Sequence, residues 1–218
     1  MPLPMIHLNV AVNFYEDKEI PSSFLLGNIA PDSIHMRKNS KREDKKLTHL
    51  NIGNSDSDFD EMRQVYYELI KRNPETNWKW FVKGYFSHLL TDYFWFTGIV
   101  VAFEERATKD NLTKDEIKKA YYQDTDQIDF NFYKTKKWTE DVWKKLIEAN
   151  SFDFEPYLKF DEINFWRLRT IHWFDLLSKE PAIEPKYIAE WMVEDFIKMT
   201  AGKLRMIFRD WDLRLTQE

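Results

Sequence analysis

Five histidines occur in the 218 residues, and four of them, His7, His35, His49 and His88, fall in the first 88. His88 and Asp92 share the stretch GYFSHLLTDYFW (84–95), where two polar groups interrupt an apolar and aromatic run. Residues four apart lie on one face of a helix, so an imidazole nitrogen and a carboxylate oxygen there can reach one cation. A hydrogen-bonded His–Asp pair in a core has the same spacing, and the pattern alone leaves both readings open. The chain has no cysteine, which removes disulfides and thiolate metal sites. Any metal must then be held by His, Asp and Glu, a set that borderline cations such as zinc accept from several chain segments.

Those segments read as helices. Residues 5–16 place Ile6, Val10, Ala11 and Phe14 at helical spacing, with His7 beside the stripe. PSSFLLGNIA (21–30) is a short helix opened by Pro21 and stopped by Pro31, which leaves Asp32 at a helix end. From Asp32 to about residue 57 the chain is polar and rich in turn formers, and it reads as a long loop with His49 near its end. A helix then starts at Asp58, with Glu61 completing a capping box, and runs to Arg72; the longest apolar helix follows over 77–104. Thr113 and Glu116 cap a helix over 113–122, and residues 121–133 form another after a kink. Thr139 caps 140–149, Asp161 opens 162–178, and 185–209 is the terminal helix. Five glycines, no Asn-Gly or Asp-Gly turn and no internal repeat predict one all-α domain, a single-domain multi-helix bundle over residues 1–218.

Composition narrows the function classes. A net charge of −5 provides no basic footprint for a stable nucleic-acid complex. MPLPMIHLNVAV lacks the basic and apolar regions of a signal peptide. Charges break the longest apolar runs before membrane-spanning length, so no transmembrane segment is expected and a cytoplasmic protein is the default. Aromatic residues reach 17%, which fits a bulky core or a greasy cleft. SDSDFDE, with Asp56, Asp58 and Asp60, has Glu61 where a calcium loop needs glycine and Tyr67 where it needs Glu. Nothing here sets the oligomeric state.

In chain order, His7, GNIAPD with Asp32, THL with His49, and GYFSHLLTD with His88 and Asp92 resemble the zinc-dependent phospholipase C family and its S1/P1 nuclease relatives. The resemblance covers about residues 1–95. It implies a phospholipase C/P1 nuclease-like α-bundle that holds zinc ions and hydrolyses phosphodiesters or phosphomonoesters. Asp32, His49, His88 and Asp92 would surround one metal, and Asp92 would bridge to a second contacted by His7. The family pattern continues with a further His and an HxxxE helix. Here His172 is the only histidine after His88, and no HxxxE occurs. The secreted enzymes also use a processed N-terminal amino group as a ligand, and no signal to remove is read here. The resemblance thus implies a reduced site of one or two divalent ions, zinc first.

Further candidates surround this set. Arg37 and Arg42, in HMRKNSKRED, could hold a phosphate against the site or simply form a solvated basic loop. Asp126, between Asp124 and Asp129, could supply a missing carboxylate or cap a helix. His35, Asp126 and His172 are candidates to stand behind the ligands, His172 pairing with Asp175 at i, i+3 or lying in the core. The expected chemistry is hydrolysis of a small phosphate-containing substrate by metal-activated water. Asp32 would take the proton and Arg37 or Arg42 would neutralise the phosphate. Two rivals stand beside it: a non-catalytic metal-binding regulatory or stress-response protein on the same fold, and a structural helical domain whose buried His–Asp pairs need no metal.

Overall fold

The computed structural model describes residues 2–50 and 57–217, without the side chains of Arg42, Ser57 and Asp58. Ten α-helices follow in order among the described residues: α1 Pro4–Tyr15, α2 Ser22–Ile29, α3 Arg42–Thr48, α4 Ser57–Arg72, α5 Thr76–Trp95, α6 Val101–Lys109, α7 Lys114–Thr135, α8 Thr139–Glu148, α9 Phe160–His172 and α10 Glu190–Leu215. A 3-10 helix, Ala30–Met36, continues α2, while π-helical turns at Phe96–Val100 and Trp173–Leu177 extend α5 and α9. The described residues contain no β-sheet, and the all-α expectation holds.

The centre is α5. Phe81, Val82, Tyr85, Phe86, Leu89 and Leu90 are all buried on it, in a core that runs from Met5 to Trp211. Each such side chain contributes about 1.5–3 kcal/mol by leaving water. Helix α2 lies directly on α5 because two glycines face backbone: a Cβ on Gly27 would stand 2.0 Å from the Phe81 carbonyl oxygen, and one on Gly84 2.0 Å from that of Phe24. No larger residue permits this approach. Helix α1 packs on α10, where Arg205 Nη1 donates to the Asn13 carbonyl at 2.7 Å and so satisfies an end of α1.

Several expectations change. The described part of the long loop is largely helical: the 3-10 helix and α3 occupy Ala30–Met36 and Arg42–Thr48. Apolar periodicity does not drive α3; the Asp44 carboxylate accepts the Lys41 backbone N–H at 2.7 Å and holds its first turn. Asp56, in the stretch that fails as a calcium loop, and the side chain of the expected Asp58 cap lie outside those described. The Thr113–Glu116 capping box is present, Thr113 N donating to Glu116 Oε2 at 2.8 Å, but α7 continues unkinked to Thr135. Its buried carboxylates cause no break because neighbours satisfy them: Asp124 accepts the backbone N–H groups of Lys186, Tyr187 and Ile188, at 2.6–3.0 Å. The same clamp holds residues 186–188 outside a helix, so α10 starts at Glu190 rather than 185. Thr139 does not cap α8; its hydroxyl donates to the Lys136 carbonyl. Helix α9 starts at Phe160, the Glu162 carboxylate accepting from Lys159 N. The apolar helix spans Thr76–Lys109, and by length and composition it could cross a membrane, a test that a buried core helix also passes; 56% of its most apolar window is buried in the fold.

Candidate metal centre

Four segments converge on one point. His7 comes from the first turn of α1, Asp32 from the 3-10 helix, His49 from the residue after α3, and His88 with Asp92 from α5. The glycine contact fixes the central ligand. With α2 against α5, His88 Nδ1 donates to the Asn28 carbonyl at 2.8 Å, which leaves Nε2 as the lone-pair nitrogen. Asn28 is held in turn by Ser87, its Nδ2 donating to Oγ at 3.2 Å. His49 is set the same way, Nδ1 donating to the Lys45 carbonyl at 3.1 Å, while the Tyr85 hydroxyl anchors the Thr48 carbonyl beside it.

His49 Nε2 lies 3.6 Å from Asp32 Oδ1 and 3.6 Å from Asp92 Oδ2. His88 Nε2 lies 3.9 Å from Asp32 Oδ2 and 3.7 Å from Asp92 Oδ2. The other Asp92 oxygen, Oδ1, is 3.5 Å from His7 Nε2, and the His7 and His88 rings stack with centroids 3.8 Å apart. Hydrogen bonds between these atoms would close to about 2.7–3.2 Å. Four ligands at zinc distance would stand about 3.3 Å apart around a tetrahedron. The observed spacings are too long for the first and only slightly wide for the second. In addition, His7 Nδ1 and Nε2, His49 Nε2, His88 Nε2 and Asp92 Oδ1 are buried with no hydrogen-bond partner among the described residues. Native interiors rarely leave such atoms unpaired. Two overlapping groups could therefore hold a metal ion: Asp32, His49 and His88, and His7, His88 and Asp92.

Charge points the same way. Burial drives the His88 imidazole down to about 3, with the neighbouring His7 adding to it, so the ring is neutral and able to ligate. Burial alone would raise Asp32, but His49, Lys45 and His88 outweigh it and hold the carboxyl well below its ordinary range. At Asp92 burial is likewise overcome, by His88, His7 and His49, and the carboxyl is lowered. Two buried carboxylates are thus kept ionised, and one of them, Asp32, meets the Lys45 ammonium, whose Nζ is 3.1 Å from its Oδ1.

The remaining candidates are placed otherwise. Arg37 does not turn to the cluster: Nε and Nη2 form a fork onto Glu162 at 2.6 and 3.0 Å, and Nη2 also donates to the Tyr157 carbonyl. Its donors tie the 3-10 helix to α9, and Lys45 stands where it was expected. Arg42 opens α3, but its side chain lies outside those described. His35 is close, with Nε2 3.8 Å from Asp32 Oδ1, and half exposed. Asp126 is half-buried, and the charge it meets is Asp129, whose Oδ1 accepts the Met5 backbone N–H at 3.0 Å. His172 is exposed at the end of α9, neither in the core nor behind a ligand, and Asp175 accepts from Tyr133 instead.

Lys45, Asn28 and the two glycines escaped the sequence reading. Lys45 and His49 are four apart, a signal that becomes visible only once α3 is known to be a helix. No family model, curated protein or solved structure matches the chain.

Proposed function

We infer that the protein is a metal-dependent hydrolase of phosphate esters, on a phospholipase C-like α-bundle, with zinc as the first candidate ion. The carrying observation is the set of unpartnered nitrogen and oxygen atoms held 3.5–3.9 Å apart around a buried negative charge. A divalent ion in that space would lower the pKa of bound water and polarise a phosphoryl oxygen.

The chain's own residues then divide the work. Asp32, His49, His88 and Asp92 hold the ion, and Asp92 Oδ1 faces His7, where a second ion would sit. Asp32 is held too acidic to serve as the proton acceptor first expected of it. His35, whose ring burial lowers toward the neutral form, takes that role on the exposed side. Lys45 meets the phosphate charge in place of Arg37. Depth favours a second reading, metal binding without turnover: His88 and Asp92 are 1% and 6% exposed.

Elemental analysis of protein incubated with zinc, followed by assay on 4-nitrophenyl phosphate and bis(4-nitrophenyl) phosphate, separates the readings. The expected result is one or two bound ions and hydrolysis, both lost in Asp92→Asn. Lys45→Ala should keep the metal and lose about a hundredfold in kcat/KM. Bound metal with no hydrolysis favours the second reading, whereas protein that takes up no ion sinks both.

A further inference from the structure

Beside the metal cluster, on the far side of His35, lies a cavity of about 470 Å³. The first turn of α1, His35 and Met36 of the 3-10 helix, and Trp166, Arg169, Thr170 and Trp173 line it. Most of this wall is apolar, yet three of its polar groups make no hydrogen bond or ion pair with a described residue. Arg169 makes no hydrogen bond or ion pair with a described residue; its guanidinium rests over the Trp173 ring at 4.4 Å and the Trp166 ring at 5.9 Å. Trp166 Nε1 is buried without a partner. So is the hydroxyl of Thr170, a residue only 2% exposed.

All three groups can donate, and one carries a full charge. Buried donors left unpaired are costly, and an arginine guanidinium with its donors free presents a fork matched to a carboxylate or phosphate. The contact with the tryptophan rings holds the guanidinium at the cavity without consuming a donor. The charge of Arg169 is felt at the His35 ring, which in turn stands 3.8 Å from Asp32, so the cavity adjoins the metal cluster through one side chain.

We propose that this cavity is a binding site for a small organic oxyanion, its carboxylate or phosphate on Arg169, Trp166 and Thr170 and its body against the tryptophans. The substrate class follows: a phosphate ester that carries a second anionic group, the ester at the metal cluster and the second anion in the cavity. That class rests on the hydrolase reading, but the anion site does not.

Two measurements keep the claims apart. In metal-depleted protein, benzoate and phenylphosphonate are titrated by calorimetry and by tryptophan fluorescence. Saturable binding at millimolar concentration is expected, weakened about ten- to a hundredfold in Arg169→Gln and less in Arg169→Lys and Trp166→Phe. Melting temperatures close to the parent's would show that the variants are folded, as expected of an arginine that makes no hydrogen bond or ion pair with a described residue. No saturable binding, or equal binding by Arg169→Gln, overturns the site. With zinc restored, KM is compared for phenyl phosphate, 4-carboxyphenyl phosphate and 1,4-phenylene bisphosphate. A lower KM for either ester with a second anionic group, its advantage over phenyl phosphate erased by Arg169→Gln, supports the class and shows which anion the cavity prefers. Equal KM values across the three overturn the class. Anion binding without hydrolysis of any ester leaves the site standing and removes the hydrolase reading.

Discussion

His88 is the residue on which the centre turns. Its Nδ1 is committed to Asn28 and its Nε2 faces two carboxylates at 3.7 and 3.9 Å, so its neutral form suits a cation and its protonated form crowds buried neighbours. The folded protein keeps this ring unprotonated down to about pH 3, while the unfolded chain protonates it near pH 6.5. Between those limits the unfolded state binds the extra proton, so stability is full above 6.5 and falls with pH. The lowered Asp32 and Asp92 act in the same direction further down, their stabilisation present above about pH 4 and lost in acid. Urea unfolding of chelator-treated protein should lose up to about 1.4 kcal/mol per pH unit on acidification below 6.5. His88→Gln should flatten that slope; an unchanged slope would remove His88 as its source.

At the scale of elements, the contact of α2 with α5 does most to place the ligands. Gly27 and Gly84 let two backbones meet, and the same register brings the Asn28 carbonyl to His88. Gly84→Ala should destabilise the fold by about 3 kcal/mol, since its Cβ must displace a carbonyl and not a flexible side-chain end. It should also weaken metal uptake, although residue 84 touches no ligand; thermal melting and zinc titration of the variant test both. Gly98→Ala is the control, since nothing lies within 4 Å of the added carbon. That change should leave melting within about 0.5 kcal/mol of the parent.

Across the whole molecule, the ion would tie together α1, the 3-10 helix, the end of α3 and α5, which sequence places up to 85 residues apart from His7 to Asp92. A ligand that binds only the folded state stabilises it by about 2.7 kcal/mol at a hundred times its Kd. For a chain of this size that corresponds to roughly 5–11 °C in Tm, so chelation should lower the melting temperature by about that much and zinc should restore it. Absence of any shift would mean that the cluster takes up no ion.

His7, Asp32 and His49 were joined to the site only through the resemblance of their order along the chain, whereas the helical class, the Thr113–Glu116 cap and the His88–Asp92 pair were determined by the sequence itself. These were legible because they rest on local spacing: a 3.6-residue period, a cap three residues from its partner, a pair four apart on one face. The tertiary structure decided the rest. Arg37 was drawn off to Glu162 on α9, a partner 125 residues away. Lys45 reached Asp32 only because a charged stretch without apolar periodicity is capped into α3. Asp124 and Asp129 became clamps on distant backbone N–H groups, and Arg169 was left over tryptophan faces with its donors unspent. Which donor meets which acceptor across the bundle depends on the approach of backbones, and at α2 and α5 two glycines permit that approach.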